Sequence, residues 1–368
     1  MEKRSYKPDE TGFLTQEDTK SYYSRIGYFY FFLAALSYAI SMLIAQIINL
    51  CAPEPLLKNE IIVSLLNYAI SFVGIYCIAT PIAMFAIKPL PKVTPIKEKM
   101  KFGHLFSALC ISFTFTQVGN SFSSVLISLA ERIMGRTLVN PVSDTLSTGS
   151  FILNAIFAGI LFPILEELLF RRLICNRLLP LGEAKAILIS AAIFGFIHGN
   201  LFQFAYAFLF GLVLGYVYVK TGKIIYTIIF HCIMNLVHGV FAQLVISNTP
   251  LDVLEEILSD EALLSDMNKL MEKLAPYTKE FAIYMLYSYA LMGLSIAGFV
   301  ILTVITIKKK ITFEQGILQT PRENRISNFL LTGGVAAAIA FIAFDFLNSI
   351  TENGLIYEIS QAIGKLIS

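Results

Sequence analysis

The chain has 368 residues, of which 56% are hydrophobic and 15% are charged. Soluble domains carry about 25% charged residues, so this composition excludes an ordinary soluble protein and indicates one that crosses a membrane several times. The net charge is only +2, which gives no reason to expect a nucleic-acid partner. Membrane-spanning strands would alternate polar and apolar residues, and the absence of that pattern predicts helices.

Nine apolar stretches predict an all-α protein, a polytopic bundle of about eight or nine transmembrane helices. The fifth stretch is short, and a tight turn at Gly199–Asn200 joins it to the sixth. In chain order, the predicted spans are 27–50, 61–87, 102–130, 149–170, 186–200, 201–219, 224–247, 283–307 and 327–348.

Lys and Arg residues are concentrated in alternate loops between these spans. With the N-terminus in the cytoplasm, the inner segments carry 21 of the 28 basic residues and the outer segments carry 7. Basic residues accumulate on the cytoplasmic side of membrane proteins, so the bias predicts a cytoplasmic N-terminus. The outer segment 248–282 is acidic, with Leu and Met at helical spacing. It predicts an amphipathic helix on the outer surface, with a lid or substrate-recruiting role as the alternative.

Two adjacent carboxylates, Glu166 and Glu167, lie in the fourth span. Charge at that depth costs from about 2.5 to more than about 10 kcal/mol, so both are candidates for function. Glu167 and Arg171 are four residues apart and can pair, whereas Glu166 points roughly 100° away and has no partner on its own helix. A carboxylate in apolar surroundings binds its proton more readily, which suits proton exchange near neutral pH. The structural alternatives are an ion pair for Glu167 and a helix–helix hydrogen bond for Glu166.

Histidines in two other spans are candidates for the same site. His198 closes the fifth span, and His231 and Asn235 share one face of the seventh, with His238 near that face. Intramembrane polar groups associate because lipid offers them no partner, so we expect these residues to meet Glu166. Helical rise places Glu166 and His198 at similar height, and His231 joins them if the hairpin of spans four and five extends into the cytoplasm.

Three short motifs carry a family resemblance. In order and spacing they resemble the CPBP family of intramembrane proteases, the relatives of the CAAX prenyl endopeptidase, over about residues 146–247. The motifs are E-E-x-x-x-R in EELLFR, F-x-x-x-H in FGFIH and H-x-x-x-N in HCIMN, and their residues are Glu166, Glu167, Arg171, Phe194, His198, His231 and Asn235.

The resemblance implies a peptidase site that opens to a water-filled cavity in a helix bundle. Glu166 would activate the attacking water with assistance from His198, and His231 and Asn235 would stabilise the oxyanion. Such donors are each worth about 10²–10³ in rate. Three further residues would support these groups: Glu167, Arg171 and Phe194.

The resemblance also divides the chain into four regions. Residues 1–145 hold the N-terminal cytoplasmic segment and three flanking transmembrane helices, and 146–247 form the catalytic transmembrane core. The outer acidic segment 248–282 follows, and 283–368 hold two C-terminal transmembrane helices.

A metal is the open question for this mechanism. Glu166, His198 and His231 together could bind zinc as a His₂Glu set, and family members are described both as metalloproteases and as glutamic proteases. The H-E-x-x-H motif of soluble zinc proteases is absent. We expect no cofactor, because Asn235 suits an oxyanion donor better than a zinc ligand, and zinc is the alternative.

The leading hypothesis is an intramembrane endopeptidase that cleaves near the C-terminus of a membrane-associated peptide or protein. We expect an integral membrane protein of a bacterial plasma membrane. One rival is a transporter or channel that uses Glu166 and the histidines as a proton or ion site, but no internal repeat and no paired broken helices are found. The other is a non-enzymatic scaffold with degenerate motifs, which the complete motifs disfavour.

Overall fold

The computed structural model describes residues 13–320 and 325–351. In this part of the chain the long elements are all helices, which confirms the all-α class. Residues 1–12, in the predicted N-terminal segment, lie outside the described residues. So do residues 321–324, in the predicted loop 308–326, and residues 352–368, in the predicted C-terminal segment. The long helices are α1 Gln16–Cys51, α2 Glu60–Ile87, α3 Phe102–Met134, α4 Phe151–Leu181, α5 Glu183–Phe196, α6 Phe204–Thr221, α7 Ile224–Ser247, α8 Met267–Ile307 and α9 Gly333–Ile350.

Seven of these described helices are long and apolar enough to cross a membrane, all except α3 and α5. α3 has 33 residues, but Ser, Thr, Asn and Gln recur along it. α5 has 14 residues, fewer than the roughly 20 that a span needs. α5 packs against α6, and α3 packs against α6 and α8. Seven spans and these two helices are compatible with the predicted eight or nine.

α5 is held by its neighbours, which explains how so short a helix can carry a site residue. Gly211 and Gly215 of α6 face it closely: a Cβ at Gly211 would lie 3.2 Å from the Cα of Ala191. α5 ends at Phe196, and Gly199, with a φ of +63°, turns the chain toward α6. His198 is therefore fixed between a buried helix end and a tight turn.

α4 continues to Leu181, well beyond the predicted end at residue 170. The backbone N–H of Leu318 donates to the carbonyl of Pro180 at 2.8 Å, which holds the extension. Gly182, with a φ of +108°, then turns the chain into α5. The heights expected from helical rise let Glu166, His198 and His231 meet only if the hairpin of α4 and α5 is extended, and this extension is present.

Several long helices contain π-helical segments near the motif residues. In α4 these segments are Phe157–Leu161 and Leu168–Cys175, on either side of Phe162–Glu167. α7 has one at Leu236–Phe241, directly after Asn235. π-helical turns inside α-helices occur frequently at functional sites, and here they flank both the carboxylate pair and the Asn235 position.

The outer acidic segment is helical but not one continuous helix, which corrects the prediction. It forms Leu251–Ser259, Glu261–Ser265 and the start of α8 at Met267. Asp260 and Asp266 interrupt it because each side chain caps the next helix: Asp260 Oδ1 accepts from Leu263 N at 3.0 Å, and Asp266 Oδ1 accepts from Asn268 N at 3.1 Å.

Candidate active site

Glu167 is the buried centre of a charged cluster. Its side chain is 0% exposed, and its Oε2 accepts from Arg171 Nε at 3.1 Å. Its Oε1 lies 3.0 Å from His231 Nδ1. The structure therefore contains the pair expected from the four-residue spacing, and it adds His231 as a partner. A buried carboxylate needs such partners because each unpaired charge carries a large desolvation cost.

Arg171 connects α4 to α5. Its side chain is also 0% exposed, and its Nη1 donates to Ser190 Oγ at 3.0 Å. The Ser190 hydroxyl in turn donates to the carbonyl of Phe170 at 3.0 Å. The guanidinium carbon lies 5.3 Å from the centre of the Phe194 ring, a cation–π distance. Arg171 thus holds the Glu167 side of the site against α5, the helix that leads into His198.

Phe194 packs against the guanidinium of Arg171 and against both histidine rings. Its ring centre lies 5.3 Å from that of His198 and 5.4 Å from that of His231, both nearly perpendicular. Edge-to-face packing of this kind restricts ring orientation. The supporting role expected for Phe194 therefore has a physical basis, since the residue limits how both imidazoles can rotate.

His231 lies between the two carboxylates. Its Nδ1 faces Glu167 and its Nε2 lies 3.4 Å from Glu166 Oε2. An ionised carboxylate only accepts hydrogen bonds, so the Nδ1 that contacts the ion-paired Glu167 carries a proton. The Nε2 atom is left facing Glu166 and the cavity. Glu166 differs from Glu167 in exposure, since its side chain is 22% exposed.

His198 has one ring nitrogen committed to the backbone and one free. Its Nδ1 lies 2.8 Å from the carbonyl oxygen of Phe194. A carbonyl accepts, so Nδ1 carries the proton of the neutral ring and the lone pair is on Nε2. This tautomer leaves Nε2 able to accept a hydrogen bond from a water molecule.

Asn235 is anchored to α4 through the first π-helical segment. Its Nδ2 donates to the carbonyl of Ala158 at 2.9 Å. The amide group has a second N–H and an acceptor oxygen, so it keeps a donor that can serve an incoming carbonyl. Its neighbour one turn before, His231, lies on the same face of α7.

Two cavities meet at Glu166 and His198. The α7-side cavity, of about 510 Å³, is lined by α3, α6 and α7. The α9-side cavity, of about 880 Å³, is lined by α1, α2 and α9. Glu166, Phe162, His198 and Gln203 line both. All four residues expected to act on the substrate line the α7-side cavity: Glu166, His198, His231 and Asn235.

Sequence reasoning missed two polar residues around the carboxylates. Tyr76 in α2 lines the α9-side cavity together with Glu166, and nothing in the sequence distinguishes it from the other 16 tyrosines. Ser190, the hydrogen-bond partner of Arg171, was also missed.

The three residues considered as zinc ligands do not form a metal cluster. In the described ranges, no group of three His, Cys, Asp or Glu side chains has the arrangement of a metal site. Both ring nitrogens of His231 face carboxylates, and His198 Nδ1 faces a carbonyl oxygen.

The family comparison agrees with the motifs. Residues 148–237 match the family model described as Rce1-like, type II CAAX prenyl endopeptidase Rce1-like. This range contains all three motifs and lies inside the predicted core 146–247, which confirms the resemblance. No curated protein and no solved structure matches the chain.

Proposed function

We propose that this integral membrane protein, whose residues 148–237 form an Rce1-like domain, is an intramembrane endopeptidase. Its substrate would be a membrane-associated peptide or protein, cleaved near its C-terminus. The observation that carries the proposal is the convergence of Glu166, His198, His231 and Asn235 on one cavity inside the bundle. A bacterial plasma membrane is the proposed location.

In this proposal, water is activated between two acceptors. One proton of the water is directed to the Glu166 carboxylate and the other to His198 Nε2, which is free because Nδ1 is committed to Phe194. The water oxygen then attacks the peptide carbonyl as Glu166 takes its proton. General-base catalysis of this kind contributes about 10²–10⁴ in rate.

The oxyanion and the leaving group are served by the other side chains. The second N–H of Asn235 is the donor available to the developing oxyanion. His231 supplies another at Nε2 when both of its ring nitrogens carry protons, the Nδ1 proton being held by Glu167. Glu166 then returns its proton to the amide nitrogen, the C–N bond breaks, and a carboxylic acid and an amine are released. Glu167 and Arg171 act by fixing His231, not by contacting the substrate.

The transporter alternative has no support from the family match. It also predicts a different observable, which is Glu166-dependent movement of protons across the membrane. A peptidase needs only that Glu166 takes up and returns one proton within the same cavity.

The test uses the full-length protein in proteoliposomes with a library of single-span membrane peptides. Mass spectrometry identifies products, and an internal pH-sensitive dye records proton flux. We expect the wild type to form peptide products without proton flux. Glu166→Gln should form no products, whereas Glu255→Gln, a control at an exposed position, should still form them. Metal chelators should leave the cleavage rate unchanged. If chelators abolish cleavage and added zinc restores it, a zinc-dependent mechanism replaces the metal-free one. Glu166-dependent flux without products would favour the transporter.

A further inference from the structure

One carboxylate inside the bundle has no role in the chemistry above. Asp345 lies in α9 and lines the α9-side cavity together with Glu166 and His198. Its carboxylate packs against the backbone of Gly199, so closely that a methyl group on Gly199 would collide with it. Asp345 is therefore next to the residue that follows His198, although it belongs to the last described helix.

Asp345 lacks a cationic partner in the described part of the chain. No Lys or Arg lines the α9-side cavity there, and no ion pair between described residues includes Asp345. Ionisable residues within transmembrane helices are costly and usually face a partner or a water-filled pathway. Asp345 faces a cavity, so the partner that it lacks can come from a bound molecule.

The two cavities differ in charge. The α9-side cavity holds two carboxylates, Glu166 and Asp345, whereas Glu166 is the one carboxylate among the described residues of the α7-side cavity. An extended peptide that crosses Glu166 would thus meet a negative group on one side of the cleaved bond only. Charge of this kind attracts and orients cationic groups more strongly in a low-dielectric site than in water.

We propose that Asp345 binds a cationic group of the substrate, an ammonium or guanidinium, and thereby positions the cleaved bond over Glu166. The group belongs either to a Lys or Arg side chain or to a free amino terminus. This inference rests on the peptidase function proposed above. Asp345 acts as a specificity-determining residue, and the amide of Asn200 lines the same cavity.

The test compares matched peptides that differ by a single charge. Lys or the uncharged norleucine is placed at successive positions on either side of the cleaved bond, and each peptide has a free or an acetylated amino terminus. We expect one position, or the free terminus, to raise kcat/KM by about 10- to 100-fold, the size of a hydrogen bond to a charged group. The effective placement identifies which source supplies the cation.

Two variants assign the preference to Asp345. Asp345→Asn keeps the shape and removes the charge, so the ratio of rates for cationic and neutral peptides should fall to near one. Ser349→Ala, in the same cavity wall, should keep the ratio. A ratio near one in the wild type, or a ratio that survives in Asp345→Asn, would overturn the inference.

Binding separates this inference from the proposed function. Fluorescence anisotropy measures labelled Lys and norleucine peptides on the Glu166→Gln variant, with and without Asp345→Asn. Tighter binding of the Lys peptide that depends on Asp345 supports the cation site even if the wild type cleaves no peptide. Equal binding of the Lys and norleucine peptides, together with equal binding of peptides with free and acetylated amino termini, contradicts it, whether or not cleavage occurs.

Discussion

Two neighbouring residues, Glu166 and Glu167, have opposite environments. Glu167 is fully buried and is held by Arg171 and His231, whereas the Glu166 side chain is 22% exposed and lines both cavities. Paired carboxylates with different surroundings commonly divide the work of an active site. Here the division is between a carboxylate that fixes His231 and one that reaches the substrate.

The buried ion pair gives a prediction that separates stability from activity. Arg171→Met should lower the free energy of unfolding by about 3–5 kcal/mol, because it leaves Glu167 buried and uncompensated. The double variant Glu167→Leu/Arg171→Met should recover most of that loss, since neither charge remains. It should still be inactive, because His231 has lost the acceptor of its Nδ1 proton. Thermal unfolding and peptide cleavage check both. An active double variant, or a fully stable Arg171→Met, would contradict the assigned roles.

Local spacing in the sequence predicted part of the site. The Glu167–Arg171 pair and the shared face of His231 and Asn235 each depend on a single helix. The helical period was therefore enough to predict both. The position of Tyr76 beside Glu166 in the α9-side cavity depends on how α2 is rotated against α4, which long-range packing decides. No short sequence pattern records that rotation.

At the scale of elements, the position of His198 depends on how closely α5 and α6 approach. The sequence placed a short span here but did not show that its partners, rather than its length, stabilise it. The π-helical segments of α4 and α7 also had no sequence signature, and one of them supplies the Ala158 carbonyl that binds Asn235. The motif residues were predictable from the sequence, whereas the backbone conformation that orients their side chains was not.

The close approach of these helices gives a second prediction. Gly211→Val should force α5 away from α6, because a Cβ there already lies 3.1 Å from the Phe194 ring. Overpacking typically costs about 1–3 kcal/mol, and a displacement of His198 by about 1 Å would lower kcat/KM by about 10²-fold. Gly293→Val is the matched control, since nothing lies within 4 Å of a Cβ at Gly293. Equal effects of the two substitutions would rule out the packing argument.

At the scale of the whole molecule, the bundle encloses polar space within apolar helices. α3 is too polar to be counted among the seven candidate spans in the described ranges, and Thr116, Asn120 and Ser123 of this helix line the α7-side cavity. Composition predicted a membrane protein and approximate span positions. It did not predict that polar residues of this stretch line a cavity inside the bundle.

The bias in basic residues predicts the orientation of the bundle. Single cysteines at Lys97 and Glu255, both exposed, are introduced into a variant without the five native cysteines. A membrane-impermeant maleimide applied to intact cells should label position 255. It should label position 97 only after lysis, because the bias predicts that the loop with Lys97 is cytoplasmic. Labelling of position 97 in intact cells would reverse the orientation.

The most direct test of the account is the rate at which Glu166→Gln cleaves the best membrane peptide. Gln preserves the size of the side chain and removes its ability to take a proton from water. We predict that kcat/KM falls by about 10²–10⁴-fold while the thermal unfolding temperature and the binding of the peptide are retained. Cleavage of the same bond at the wild-type rate would show that Glu166 is not the catalytic base.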